Sequence, residues 1–512
     1  MITMESSKKQ LQSSLKQKTY DFFPRISQRI DNNDHWNGEK ERQQQTNCNQ
    51  RHVRKSSLNI PKSLAELRDT VRAENIALKS DHDHKTSKRS VGGWALRPDQ
   101  LKYLKDHVYE YNASAGSILE VWIMQRFWTY LATFIPKFVA PCTITAIGFF
   151  INLITCSLII AYSPDARSEV PTWTLFLCAI GVWLYQIADA LDGKQCYKVQ
   201  NSQLEEFYDH GCDSVSTILL MYATGIAIQA GQSPTLFLLV LFISLFAFYT
   251  THWLSYVTNQ MVFGKIDVTE AQWTMILTHL VTAVYGQSIW NYQIHVGTIV
   301  SIELRTLLSF ATLITLFNSI IYQTSIILLG RQTPLEKAGV KIERNKNFNP
   351  YKPLLAPLFL SVLIYYCYTN GYYHMNPAMF ILFCGLSFAK MTMKLVIAHC
   401  TNHEIELLDL TLVAPILLAL NHFFFVSNNN SNHYDHYRFV LVSPDQALLC
   451  AFIWNTIELI RYFTFVSWDI CIALDVNIFS IKYPPGHPKS RLQTGGFYVN
   501  GLNNDELLKN IK

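Results

Sequence analysis

Ten apolar stretches follow one another between residues 139 and 474, each near the ~20-residue length that carries an α-helix across a ~30 Å hydrocarbon core. They run approximately 139–162, 173–191, 214–230, 234–256, 272–290, 307–329, 354–370, 377–399, 408–426 and 447–474. Lipid offers no water to a backbone N–H or C=O, so a chain written this way must close its hydrogen bonds within helices. The pattern predicts an all-α polytopic membrane protein of about ten transmembrane helices. Charged residues make up only 16% of the chain, against roughly 25% in soluble proteins.

Residues 1–95 are polar, with the runs ERQQQTNCNQRHVRK and SDHDHKTSKRS, and predict a disordered tail. One short helix is expected from Ser63, where Glu66 completes a capping box before Leu64, Leu67 and Val71. Asp81, His82, Asp83 and His84 alternate there and read as solvated charge. Residues 96–138 are amphipathic, with Leu101, Leu104 and Val108 on one face, then Trp122, Met124, Phe127, Trp128 and Phe134. Such segments predict interfacial helices in the headgroup plane. The transmembrane domain is expected over 139–482 and a cytosolic C-terminal tail over 483–512. No apolar h-region occurs in the first thirty residues, so the first membrane helix is expected to serve as its own insertion signal. A net charge of +5 without a basic stripe argues against a nucleic-acid polymer as partner. The 11 cysteines are scattered without a CxxC pair and read as core residues.

Loop charges give an orientation. The loop from Gly330 to Pro353 carries Arg331, Lys337, Lys341, Arg344, Lys346 and Lys352, which predicts a cytosolic position. Counting outward, both termini and the loop bearing Lys194 and Lys198 are cytosolic too. The opposite-side loops hold single arginines, Arg167, Arg305 and Arg438, and the last contains the sequon Asn429–Asn430–Ser431.

Four aspartates, Asp189, Asp192, Asp209 and Asp213, stand where the second and third stretches meet, in DALDGKQCYKVQNSQLEEFYDHGCDSVST. Spacings of i, i+3 and i, i+4 put each pair on one helix face. Two carboxylates ~5 Å apart repel by about 3 kcal/mol at an effective dielectric of 20. Their convergence therefore calls for cations, most simply two divalent ions, and all-oxygen ligands select Mg²⁺, Mn²⁺ or Ca²⁺.

This segment resembles the CDP-alcohol phosphotransferase family, whose pattern is DxxDGxxAR, eight residues, GxxxDxxxD. DALDGKQ and DHGCDS, with WLSYVTN, KIDVTE, KLVIAH and the KFVAP–ITAIG approach to the first helix, look like its choline/ethanolamine branch. The resemblance implies transfer of phosphocholine or phosphoethanolamine from CDP-choline or CDP-ethanolamine to diacylglycerol, with CMP released. It implies two Mg²⁺ or Mn²⁺ ions on Asp189, Asp192, Asp209 and Asp213, a nucleotide approaching Gly193, a homodimer, and an endoplasmic reticulum or Golgi membrane with the site facing the cytosol. A carboxylate or imidazole must take the proton of the attacking alcohol; Asp213 is the first candidate and His210 the second.

The chain departs from that pattern at four positions. Cys196–Tyr197 replaces Ala-Arg, Glu205 stands at the later glycine, and Cys142 replaces an asparagine. The lost arginine removes a bidentate phosphate ligand, for which Lys198 is a substitute point charge, and Glu205 brings bulk and charge toward the diphosphate. These departures raise an alternative, a catalytically silent homologue acting as a partner subunit. A cation transporter would call for broken midplane helices and an internal repeat, and neither is visible. His252, Asp267 and Glu270 are secondary candidates for the substrate cavity. His399, His403, Glu404 and Glu406 read as a polar cap, Lys390 and Lys394 as snorkelling cations, and Glu458–Arg461 as an intramembrane pair.

Overall fold

The computed structural model describes residues 93–490 apart from 115, 297–299, 346–347, 408 and 431–441. The expected tail up to residue 92, the Ser63 helix, the Asp81–His84 run, Ser431 of the sequon, Arg438 and residues 491–512 lie outside the described residues.

Two short helices, α1 (Pro98–Asp106) and α2 (Gln125–Ala132), precede the bundle. Then follow α3 (Pro141–Tyr162), α4 (Thr172–Val199), α5 (Gln203–Ala227), α6 (Pro234–Thr258) and α7 (Val268–Tyr285). After them come α8 (Leu304–Leu329), α9 (Lys352–Thr369), α10 (Pro377–Cys400), α11 (Val413–Asn430) and α12 (Pro444–Leu474). Prolines at the first or second position open α3, α6, α9, α10 and α12, where a missing N–H costs nothing. Each of the ten expected stretches falls on one of the helices α3–α12. Among the described residues six of them, α3, α4, α6, α8, α9 and α10, are long and apolar enough to cross a membrane, so the expected count of ten spans is not reached there. For two of the four others the reason is chemical: α5 carries Glu205, Glu206, Asp209 and Asp213, and α12 carries Asp445, Glu458, Arg461 and Asp469.

Burial separates centre from rim. α10 has 83% of its apolar window buried, whereas α8 has 22% and turns Phe310, Ile314, Phe317 and Ile321 outward at helical spacing. An outward apolar stripe is the expected face toward lipid tails. A small antiparallel hairpin, β1 (Gln293–Val296) and β2 (Val300–Glu303), interrupts the helical pattern between α7 and α8, with Gln293 opposite Glu303. Two of the arginines expected in opposite-side loops are structural ties. Arg167 Nε donates to Gly231 O at 2.7 Å, and buried Arg305 pairs with Glu303 at 2.6 Å.

The segment before α3 wraps the end of the bundle. Leu104 is fully buried, but α1 stops at Asp106, so Val108 leaves the expected face and is 72% exposed. Trp122, Ile123, Tyr130, Phe134 and Phe138 point outward as an interfacial segment requires, while Trp128 turns into the protein. Asp469 of α12 anchors the beginning of this segment by accepting the backbone N–H groups of Trp94, Ala95 and Leu96 at 2.8–3.0 Å.

Candidate active site

α4 does not end at Asp192–Gly193. It continues to Val199, so the expected turn is a helix interior and only residues 200–202 separate α4 from α5. The uninterrupted helix keeps Asp189 in register to face Asp209 and Asp213 of α5, and oxygen atoms of these three carboxylates lie within 4.8 Å of one another. Asp192, one helical turn after Asp189, is buried, accepts a hydrogen bond from Thr145 Oγ1 of α3, and lies within electrostatic reach of Asp189, Asp209 and Asp213. Tyr185, one helical turn before Asp189, donates its hydroxyl to Asp213 Oδ1. Asp209 Oδ1 is buried without a hydrogen-bond partner. Three converging hard oxygen ligands, one of them unsatisfied, fit a divalent cation.

Gly193 points to a ligand by a separate route. A glycine inside a helix is unfavourable by about 1 kcal/mol relative to alanine. Nothing in the protein calls for one here, because a Cβ built on Gly193 meets no atom within 4 Å. Open space beside three carboxylates suits the close approach of a phosphate-bearing molecule.

The other pattern positions go elsewhere. Lys198 Nζ donates to Ala132 O, and Lys194 Nζ to Gln125 Oε1 at 2.7 Å. Gln195 Nε2 donates to Pro136 O and Val139 O, both at 2.9 Å. These residues hold the interfacial segment against α4, and the Lys198 ammonium is directed to that segment and not to the three carboxylates. Buried Glu205 folds back onto the turn, accepting from Gln200 Nε2 and Ser202 Oγ, each at 2.5 Å. Cys142 is buried, Cys196 is half-buried, and both lie within electrostatic reach of Glu205. Three of the four departures from the family pattern thus occupy one neighbourhood, and Glu205 is tied down there.

His210 is buried against His252, ring centroids 4.6 Å apart, and its Nδ1 has no hydrogen-bond partner. Glu206, one turn before His210, is buried too. One of its oxygens lies 3.5 Å from His399 Nε2, and Oε2 has no hydrogen-bond partner. The sequence did not single out the tyrosines that stand beside Glu206. Residues 109–114 and 116–119 are pinned as a strap to the stretch 261–270. Ser114 N donates to Met261 O and Met261 N to Asn112 O, both at 2.8 Å; Ile118 N donates to Lys265 O at 3.1 Å, and Leu119 N to Glu270 Oε1 at 2.8 Å. The strap brings Tyr109 beside Glu206, and Tyr111 within electrostatic reach of Glu206, Tyr197, Asp209 and Asp189. Burial first, and the Glu206 carboxylate second, push both phenols well above their ordinary range, so they stay neutral. Only the YxY alternation ahead of a small-residue run marked them in sequence.

Secondary candidates resolve into pairs. Asp267 and Glu270 form a capping box on α7, and burial pushes the Asp267 carboxyl up to about 6. His403 lies 3.1 Å from Asp99, Glu404 pairs with Lys352 at 2.9 Å and Glu406 with Arg97 at 3.0 Å, so that group converges on no ion. Lys390 joins Asp409 (2.8 Å) to Glu458 (2.6 Å), Lys394 also meets Asp409 (3.0 Å), and Arg461 holds Glu458 at 2.6 Å. Burial opposes ionisation of Asp409, but Lys394 and Lys390 hold its carboxyl well below the usual carboxylate range.

No protein-family model matches the chain. Individual curated proteins do. Cholinephosphotransferase 1 of Homo sapiens is 34% identical over 389 residues, covering 75% of this chain and 89% of the relative. Cholinephosphotransferase 1 of Danio rerio is 33% identical over 390 residues, 76% of this chain and 96% of the relative. An uncharacterised CDP-alcohol phosphatidyltransferase class-I family protein of Dictyostelium discoideum is 24% identical over 380 residues, 73% of this chain and 86% of its own.

Proposed function

Because the chain belongs to the CDP-alcohol phosphotransferase family, we propose that it catalyses the last step of phospholipid synthesis from a CDP-alcohol. It moves phosphocholine, phosphoethanolamine or both from the CDP-alcohol to diacylglycerol and releases CMP, in the endoplasmic reticulum or Golgi membrane with its site toward the cytosol. The observation that carries this reading is the convergence of Asp189, Asp209 and Asp213 beside the open face of Gly193.

The three carboxylates would hold Mg²⁺ or Mn²⁺, with Asp192 in the adjoining turn serving a second ion. Such ions, when bound, neutralise the diphosphate and stabilise charge on the attacking and departing oxygens. The diacylglycerol hydroxyl oxygen bonds to the β-phosphorus, the bond from that phosphorus to the bridging oxygen breaks, and CMP leaves with the bond's electrons. The hydroxyl proton needs an acceptor. Asp213 already accepts from Tyr185 and belongs to the carboxylate cluster, so it is the poorer base. His210, with Nδ1 unpartnered and Glu206 one turn away, is the better one. Glu205, bound to Gln200 and Ser202 of its own turn, gives no support to a silent subunit.

Membranes from cells expressing the chain, given Mn²⁺, diacylglycerol and labelled CDP-choline or CDP-ethanolamine, should form labelled lipid. Asp209→Ala should abolish it, and His210→Gln should lower turnover at least 100-fold while CDP binding persists. Lipid formation that survives Asp209→Ala with Asp213→Ala would overturn the assignment.

A further inference from the structure

We infer that Tyr111, with Tyr109 beside the buried Glu206 carboxylate, receives the cationic headgroup of the donor nucleotide; the inference rests on the function proposed above. The charge balance points this way. Two divalent ions would offset the four aspartates, but Glu206 stands outside them. Its Oε2 is buried without a hydrogen-bond partner, and its other oxygen lies 3.5 Å from an imidazole, that of His399, with no lysine or arginine paired to it among the described residues. A buried carboxylate left without a cation is strongly unfavourable. A substrate that carries an ammonium supplies that cation.

Position agrees with charge. Tyr111 lies within electrostatic reach of Asp189 and Asp209 as well as of Glu206. A β-phosphate held at the aspartates carries its ammonium on a two-carbon linker, short enough to stay in that same neighbourhood. Neutral phenol rings near a carboxylate suit ammonium and quaternary ammonium ions, which bind the negative faces of aromatic rings. The strap's backbone hydrogen bonds to Met261 and Lys265 fix it before substrate arrives, so little ordering accompanies binding.

The test compares CDP-choline with CDP-3,3-dimethylbutanol, its uncharged carbon isostere, and with CDP. Binding of each to the purified full chain in nanodiscs would be measured with Mn²⁺. Wild type should prefer CDP-choline to the isostere by at least about tenfold. Tyr111→Leu should reduce that preference to within about threefold and leave CDP affinity within twofold, while Tyr111→Phe keeps the preference. Glu206→Gln, nearly identical in shape, provides a second reading and should also erase it. Equal weakening of CDP and CDP-choline by Tyr111→Leu, or an unchanged preference in both Tyr111→Leu and Glu206→Gln, would overturn the inference. Failure of wild type to bind CDP with Mn²⁺ would instead overturn the proposed function, and this inference with it.

Discussion

Replacing Asp213 with asparagine should make the metal-free protein more stable and the metal-bound protein less so. Without cations, oxygens of Asp189, Asp209 and Asp213 within 4.8 Å of one another repel pairwise by about 3 kcal/mol at an effective dielectric of 20. Three such pairs sum to about 10 kcal/mol, and Asp213→Asn removes two of them, about 7 kcal/mol. A carboxyl that takes up a proton forfeits much of this, so a gain of about 2 kcal/mol is expected at neutral pH. The amide oxygen can still accept the Tyr185 hydroxyl, which keeps the local packing. Metal acts in the opposite direction. Mn²⁺ at 100 times its Kd should stabilise the wild type by about 2.7 kcal/mol, and the variant should lose most of that. Thermal unfolding of the full chain in nanodiscs, followed by tryptophan fluorescence in EDTA and in MnCl₂, would show the variant melting higher in EDTA and lower in MnCl₂. If Asp213→Asn melts lower in EDTA and responds to Mn²⁺ like the wild type, these carboxylates do not share an ion.

Lys390→Met should destabilise the bundle by about 3 kcal/mol, the low end for a broken buried pair, because Lys394 and Arg461 remain beside Asp409 and Glu458; an unchanged melting temperature would show that the network contributes nothing. Glu205→Gly should leave turnover within about twofold and lower stability by about 2 kcal/mol, since it strips Gln200 and Ser202 of their acceptor; a sharp rise in turnover would mean that Glu205 does obstruct the nucleotide. Asp267 has its carboxyl pushed up to about 6 by burial, above the ordinary ~3.9. Its share of stability is therefore fully present below about pH 3.9 and lost as pH rises through 6. Asp267→Asn preserves a capping side chain and removes that titration, so the difference in melting temperature between variant and wild type should grow from pH 5 to 7; a constant difference would count against a raised Asp267.

Hydropathy and helix periodicity belong to short windows of chain, and what depends on them was legible. The long helices fell on the expected stretches, and the i, i+3 and i, i+4 spacings put aspartates on shared faces. The count of spans was less so. Stretches such as α5 and α12 are amphipathic because they carry buried polar groups for the protein interior, which a length rule reads only as apolar. The Glu458–Arg461 pair was visible in advance, being local, whereas Lys390 reaching both Asp409 and Glu458 was not.

By itself the sequence determined that this chain forms a helical bundle in lipid with carboxylates gathered at one end of two successive helices. Tertiary structure alone decided that three aspartates converge while Asp192 beside them is bound by Thr145, that Lys198 meets the Ala132 carbonyl, that Glu205 folds back on its own turn, and that Tyr111 comes within reach of the site from a strap far earlier in the chain. Helix geometry sets the direction of a side chain only relative to its own axis. What it meets there depends on the rotation and register of the neighbouring helix, and close packing of the whole bundle sets those.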